Sequence, residues 1–211
     1  MSEHLKITSE DTGTGTTEKR RDDLVYRPKL SEAKTCAEQI PEDFIELSES
    51  STDISENLLN IRRLKHFDET YTNDFLRVIR EQDFEYGFES MADKFIRQLM
   101  EQNKAVTREW LNRLFLCHFN DIKIITGLVQ VLSHIEYAEI YPEGPTIALA
   151  ALSHNNLEVR ECGIRAFENW GTLESLHILE GLRFTEKWMQ EYVKKVVCDL
   201  REDFNLGAYP C

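Results

Sequence analysis

Long apolar runs are absent from this sequence. Nowhere do eighteen apolar residues follow one another, whereas a helix that crosses a bilayer needs about 18 or more of them. Residues 1–20 also lack the apolar stretch of a secretory signal peptide. We therefore expect a protein that neither spans a membrane nor is secreted by that route, and we place it in the cytoplasm.

Closely spaced cysteines are absent as well. No two cysteines have the two-residue separation of a thiolate metal site or a redox motif. The five cysteines are Cys36, Cys117, Cys162, Cys198 and Cys211. Three of them fall within helical patterns, where a free cysteine usually behaves as a small apolar residue. Reduced thiols in a cytosolic protein are therefore predicted.

Positive charge is scarce. The chain has 25 Lys and Arg residues against 38 Asp and Glu residues, and its formal net charge is −13. Binding to nucleic acid depends on cationic side chains that release counterions from phosphates, so this balance argues against a nucleic-acid partner. Two interpretations of the acidity stay open. It can simply keep the protein soluble and monomeric, or it can form a patch for a basic protein partner.

Recognised catalytic and cofactor motifs are missing. The six histidines form no His-Glu-x-x-His pattern, and the chain has neither a Gly-x-Ser-x-Gly elbow nor a glycine-rich phosphate loop. His118 near Asp121, and His134 near Glu136, come closest to an acid–base or metal site. Active sites need clustered groups with perturbed pKa values, which these pairs do not establish. The prediction is a protein that is not an enzyme and that needs no metal or other cofactor.

Residues 1–55 are predicted to form a flexible acidic tail. They include a low-complexity run at residues 12–17 and show no sustained helical periodicity. Within them, residues 40–47 (IPEDFIEL) set four apolar side chains among acidic ones. This segment is either a docking motif for another protein or a cap over the first helices, because the open apolar edge of a helical array needs a cover.

Helical periodicity begins after this tail. Ser55 is the predicted cap of a helix over residues 56–66. The apolar stripe of that helix is predicted to comprise Leu58, Leu59, Ile61 and Leu64. Such a stripe, on one side of a helix, is expected to face the core.

Four more helices are predicted between residues 72 and 132. Capping residues and glycine mark their ends. In chain order these signals are Thr72 or Asn73, Gly87, Ser90, Asn103, Thr107 and Asn120-Asp121. No alternation typical of strands competes in this stretch, which predicts an all-α domain over residues 56–211.

Residues 145–171 carry the clearest local pattern. Pro145 is predicted at the first position of a helix, because proline has no amide hydrogen to leave unpaired there. The turn His154-Asn155-Asn156 follows an Ala/Leu-rich stretch, and asparagine tolerates turn geometry and caps helices. A second helix then ends at Gly171, with its inward residues predicted to be Val159, Ile164 and Phe167. The segment therefore predicts one helical hairpin.

This hairpin resembles a HEAT repeat of the short, roughly thirty-residue type, with an opening proline, an Asn turn, the pair Val159-Arg160 and a closing glycine. The resemblance implies an α-solenoid of stacked hairpins. It also implies that Arg160 bonds turn carbonyls or acids of the neighbouring repeat. A shift of 29 positions predicts a downstream capping unit over residues 172–200, with Thr172 and Thr185 as caps.

The loop between the fifth helix and this hairpin is the predicted partner-binding site. It sets two tyrosines among three glutamates, at Glu136, Tyr137, Glu139, Tyr141 and Glu143. Tyrosine is favoured at interfaces, and the carboxylates would select a cationic partner. The alternative is an ordinary loop whose tyrosines lie over the adjacent helices.

We therefore predict a non-catalytic protein-binding scaffold or adaptor, one concrete version being an acidic inhibitor or immunity protein for a basic partner. The alternative is a helical-repeat enzyme, such as a DNA-repair glycosylase that uses its tryptophans, or a metal-assisted hydrolase. From Glu56 onward, 18 basic residues face 25 acidic ones. This excess of acid disfavours the glycosylase.

Overall fold

Helices make up all of the regular structure in the part of the chain that the computed structural model describes, residues 52–82, 84 and 88–207. These residues lie within one unit, Lys34–Cys211. The helices are α1 (Thr52–Thr70), α2 (Thr72–Glu81), α3 (Met91–Cys117), α4 (Ile122–Ser133), α5 (Tyr137–Ile140), α6 (Glu143–Leu152), α7 (Leu157–Trp170), α8 (Leu173–Gly181) and α9 (Lys187–Asp203). The all-α prediction is confirmed for the described residues. Most of the predicted tail, with residues 40–47, lies outside them, as does Gly87.

Polar capping residues set several of the helix starts. Ser90 forms a capping box with Asp93 before α3: the Asp93 amide donates to the Ser90 hydroxyl over 3.0 Å, and the Ser90 amide donates to Asp93 over 2.7 Å. The Asp121 carboxylate accepts from the amide of Ile124 at the start of α4. Such caps satisfy amides that the first turn of a helix leaves without partners.

A break at Asn103 divides α3 into two parts. The φ of −161° and ψ of 99° at this residue are not helical. Its side chain accepts a hydrogen bond from the Val106 amide over 3.0 Å, so Asn103 itself caps the second part. The predicted end of a helix at Asn103 is confirmed. The predicted new start at Thr107 is wrong, because the Thr107 hydroxyl instead donates back to the Asn103 carbonyl.

Aromatic side chains form one end of the core. Trp110 of α3 is fully buried, and its ring centroid lies 6.1 Å from that of Phe67 and 5.3 Å from that of Phe75. Its Nε1 donates to the Thr72 hydroxyl over 3.0 Å. Because these partners belong to α1 and α2, the indole joins three helices in one packed cluster.

The apolar stripe predicted for the first helix is largely exposed, contrary to expectation. Leu58, Leu59 and Ile61 are 38–40% exposed, and Leu64 is only partly buried. α1 contacts α3 mainly further along, where Phe67 is buried and Asp68 pairs with Arg113 over 3.0 Å. The first turns of α1 therefore do not pack closely against α3.

The hairpin of α6 and α7 has the predicted core residues and turn. Val159, Ile164 and Phe167 are fully buried. The Asn156 side chain accepts from the amides of Glu158 and Val159, at 2.8 and 3.2 Å. Gly171 ends α7 with a φ of 55°, a left-handed conformation that favours glycine. α6 begins at Glu143, so Pro145 stands third in the helix instead of first.

The downstream pair of helices, α8 and α9, matches the predicted unit only in part. Val193 and Val196, the predicted equivalents of Ile164 and Phe167, are buried. Trp188, the predicted equivalent of Val159, is 46% exposed, and Met189 is buried in its place. Thr172 caps α8 as predicted. The predicted Thr185 cap is wrong, because Glu186 precedes α9 and its side chain makes no cap hydrogen bond.

Arg160 pairs with an acidic residue in the segment between α8 and α9. Its guanidinium donates to both carboxylate oxygens of Glu186, at 2.8 and 3.4 Å, and so ties α7 to the residue that precedes α9. Arg160→Ala is therefore expected to lower the melting temperature by a few degrees, since it removes hydrogen bonds between two charged groups. Thermal denaturation followed by circular dichroism measures this shift. An unchanged melting temperature would contradict a structural role for Arg160.

The three cysteines among the described residues divide into two groups. Cys162 is a buried free thiol, and burial raises its pKa to about 12. Cys117 and Cys198 are disulfide-bonded, which corrects the expectation that their thiols are reduced. Within the described ranges, no helix combines the length and apolar character that crossing a bilayer requires.

Candidate functional site

The tyrosines predicted to form a partner-binding loop lie around the short helix α5. Tyr137 is partly buried, and its ring meets that of Trp170 edge to face with centroids 5.5 Å apart. Tyr141 is 55% exposed, with its ring 5.9 Å from that of Tyr137. Trp170 also donates from Nε1 to the carbonyl of Ile135 over 3.1 Å. One of the two tyrosines is therefore laid over α7, and the other is open to solvent.

The glutamates of this loop are not equally available. Glu139 pairs with Lys104 over 2.5 Å, and Glu143 lies 3.4 Å from the Nε of Arg108. Glu136 is exposed. Since α3 supplies a cation to two of the three carboxylates, the loop presents less free negative charge than its sequence suggests.

A groove of about 630 Å³ opens beside this loop, between α1 and the second part of α3. Its apolar lining consists of Leu58, Ile61, Leu64, Ala105 and Val106. Its polar lining consists of Asn57, Asn60, Arg108, Glu109 and Glu143. Ligand sites typically combine a mostly apolar surface with a few polar groups, and this groove has that composition and size.

Two structural features create the groove. The break at Asn103 starts a new helical segment, which presents Ala105 and Val106 to the groove in its first turn. The pair Asp68–Arg113 and the packing of Phe67 on Trp110 hold the far end of α1 to the same helix. The apolar side chains of the first turns of α1 are thereby left facing an open space.

Two carboxylates give the groove its electrostatic character. Burial raises the pKa of Glu109, Arg113 opposes this effect, and nearby Glu143 raises the pKa further. Arg108 lies beside Glu143 and also donates to the carbonyl of Tyr141. The formal charges of Arg108, Glu109 and Glu143 sum to −1, and Arg113, whose effect on Glu109 exceeds that of Glu143, adds a positive charge nearby.

A second cluster joins the start of α3 to the end of α4. The carboxylate of Asp93, whose side chain is only 5% exposed, lies 3.0 Å from Nδ1 of His134. Burial raises the pKa of Asp93, but hydrogen bonds from His134 and Ser90 outweigh it and lower the pKa overall. The hydrogen bond with Asp93 raises the pKa of His134, against the effect of burial. The geometry indicates an ion pair that ties two helices together.

This ion pair predicts a pH dependence of stability. The contribution of His134 is complete below its ordinary pKa of 6.5 and is lost as pH rises through its raised folded-state pKa. The contribution of Asp93 is present above its ordinary pKa of 3.8 and is lost as pH falls through its lowered folded-state pKa. The pair therefore stabilises the fold most between these two ordinary values.

Urea denaturation from pH 5 to about pH 8 measures this effect on the free energy of unfolding. Other charged residues line the cavity beside His134, namely Arg97, Glu136 and Glu139. They are the same in the wild type and in the variant His134→Asn. His134→Asn is expected to flatten the fall in stability above pH 6.5. The same slope in the wild type and the variant would contradict the assignment to His134.

The remaining residues singled out from the sequence have structural surroundings. His154 is buried: its Nε2 lies 3.0 Å from the carbonyl of Phe119, and its Nδ1 accepts from the Asn156 amide. Burial lowers the pKa of His118, while its neighbour Asp121 pairs with Arg80 over 3.2 Å. No group of three or more potential metal ligands occurs among the residues that the structure describes.

Neither the pairing of Asp93 with His134 nor the groove was predicted from the sequence. The residues that form the ion pair, and those that form the groove, are distant from one another in the chain. Only the capping pattern Ser90-x-x-Asp93 was a local signal.

Comparison with known proteins returns no match: no family model, curated protein or solved structure matches this chain.

Proposed function

We propose that this protein is a non-catalytic binding module whose groove between α1 and α3 accepts an apolar segment of another protein. The observation that supports this proposal most directly is the exposure of Leu58 and Ile61, each about 40%, on the wall of a groove of about 630 Å³. Contiguous apolar surface of this kind is typical of interaction sites.

The partner's segment carries at least one lysine or arginine beside its apolar anchors. Glu109 and Glu143 both line the groove, and the negative charge of Glu143 raises the pKa of Glu109. A cation placed next to Glu109 would relieve that repulsion in a partly desolvated place, where charge pairs discriminate between partners. This version keeps the basic partner predicted from the overall acidity but moves the contact from the loop to the groove.

The scaffold for this site is a HEAT-like stack of helical hairpins in our proposal. Support comes from the Arg160–Glu186 contact between α7 and the start of α9, the glycine that closes α7 and the threonine that caps α8. In such arrays each hairpin buries its apolar face against its neighbours, and the array offers extended surfaces for binding.

A display library of random peptides, selected on the full-length protein, tests the proposal even while the natural partner is unidentified. We expect the enriched peptides to combine two or more apolar residues with a lysine or arginine. Ile61→Glu is expected to weaken their binding about tenfold or more, since it places a charge on the apolar wall. Glu109→Gln is expected to weaken only the peptides that carry the cation.

Leu149→Glu is the matched control. Leu149 is 43% exposed, close to the 40% of Ile61, but it lies on α6 and does not line the groove. Peptides that bind this variant as well as the wild type, and Ile61→Glu poorly, support the groove. Enriched peptides without apolar residues, or equal binding to both variants, would overturn the proposal.

A further inference from the structure

The part of α1 that lines the groove is close in sequence to the start of the described chain. The described residues begin at Thr52, and the exposed Leu58 and Ile61 lie in the next turns. At about 1.5 Å per helical residue, these two side chains start about 9 and 14 Å from Thr52. Any cover supplied by the chain itself therefore needs to travel only a short distance.

The segment at residues 40–47 has the apolar residues that such a cover requires. Ile40, Phe44 and Leu47 recur at the four- and three-residue spacing of one helical face. Leu47 precedes Thr52 by five residues, and five residues of extended chain reach about 17 Å. The segment can therefore turn back and lie along the first turns of α1.

Positive charges next in sequence to the groove residues of α1 also suit this segment. Glu42, Asp43 and Glu46 stand between its apolar residues. Arg62 and Lys65 each follow an apolar groove residue of α1 by one position. Arg62 has no ion-pair partner among the described residues, and Lys65 has only a 3.9 Å contact with Glu69. Carboxylates at the edge of the segment would meet these cations while its apolar side chains enter the groove.

We propose that residues 40–47 of the same chain cover the groove and compete there with the partner. The competition with the partner rests on the proposed function. The segment brings no cation to Glu109, whereas the partner does, so the partner can displace it. Tethering by a short linker gives an effective concentration in the millimolar range, so weak contacts suffice to keep the segment in place.

Limited proteolysis of the full-length folded protein measures this cover directly. The rate of chymotryptic cleavage after Phe44, followed by mass spectrometry, reports how often the segment leaves the groove. Ile61→Glu is expected to raise that rate about fivefold or more, while Leu149→Glu is expected to leave it within about twofold. Equal cleavage rates in the wild type and both variants would overturn the inference.

A photocrosslinking residue in place of Phe44 identifies the surface that the segment contacts. Crosslinks within one chain to residues 57–64 or 105–109 support the cover. Crosslinks only between two chains would overturn it in favour of a second copy of the protein as the occupant. The absence of crosslinks both to these residues and between chains would also overturn it.

Peptide binding separates this inference from the proposed function. Phe44→Ser is expected to tighten the binding of selected peptides, because it removes their competitor. Protection of Phe44 together with failure to select any peptide would overturn the proposed function and leave the cover standing. Selection of peptides that bind the wild type and Phe44→Ser equally would overturn the competition instead.

Discussion

Trp110→Ala is expected to lower the free energy of unfolding by about 3–5 kcal/mol, the range for removing a large buried aromatic side chain. The indole contacts the rings of Phe67 and Phe75, and the substitution leaves a cavity among helices α1, α2 and α3. It also removes the donor to the Thr72 hydroxyl. Domains of this size are stable by only about 5–15 kcal/mol, so the expected loss is a substantial part of the total free energy of unfolding.

Trp188→Ala provides the control for this prediction. Both changes remove the same side chain from a helix, but Trp188 is 46% exposed whereas Trp110 is fully buried. We expect Trp188→Ala to change the free energy of unfolding by less than about 1 kcal/mol. Urea denaturation of both variants gives the comparison. Similar losses for the two tryptophans would contradict the position of Trp110 at the centre of the aromatic cluster.

Gly127→Ala is expected to destabilise the protein by about 1–3 kcal/mol, although alanine favours helices more than glycine does. A Cβ atom at this position of α4 would lie 2.6 Å from Cγ2 of Ile79 and 2.9 Å from Cε2 of Phe84. The Ile79 methyl is attached close to the backbone of α2 and cannot swing away. The two helices must therefore separate, and packing is lost over their whole contact.

Gly181→Ala is the matched control, at a position that has space for a Cβ atom. Among the described residues, apart from its own helix backbone and chain neighbours, no heavy atom lies within 4 Å of the place that its Cβ would occupy at the end of α8. The expected result is a stability equal to the wild type or higher by up to about 1 kcal/mol. Chemical denaturation of the two variants decides the question, and a Gly127→Ala protein as stable as the Gly181→Ala protein would contradict the close packing of α2 on α4.

Several signals that act over a few residues were correctly predicted from the sequence. The caps predicted at Ser55, Thr107 and Thr185 were wrong: Ser55 lies within α1, and α9 is preceded by Glu186. Ser90, Asn103, Asn156 and Gly171 end or begin helices where their patterns indicated. Each depends on hydrogen bonds or backbone conformation within one helical turn, which the neighbouring residues determine. The helical class of the described chain followed from these signals together with the apolar spacing.

Burial was harder to predict, because it depends on which helices meet. The apolar spacing of Leu58, Leu59 and Ile61 is that of a buried stripe, yet all three are exposed. Whether they are covered depends on the path of α3 after its break, which no residue of α1 encodes. The 29-residue shift also failed at Trp188, since the rotation of α9 buries Met189 in its place.

For the charged groups of the candidate site, too, the sequence predicted the local arrangement but not the contacts between helices. The sequence placed Glu139 and Glu143 in one loop but gave no sign that Lys104 and Arg108 neutralise them. Those cations recur with the four-residue spacing of one helix face, so a single helix supplies both. Only the packing of α3 against the loop reveals that its negative charge is partly compensated.

The break at Asn103 also affects how the protein tolerates change in length. In an unbroken helix, one inserted residue rotates every later side chain by about 100° about the axis. Here the second part of α3 restarts at its own cap, so its rotational register is set by Asn103 and not by Ser90. An insertion in the first part would therefore disturb the Asp93–His134 contact while leaving the groove wall at Ala105 and Val106 in its original orientation.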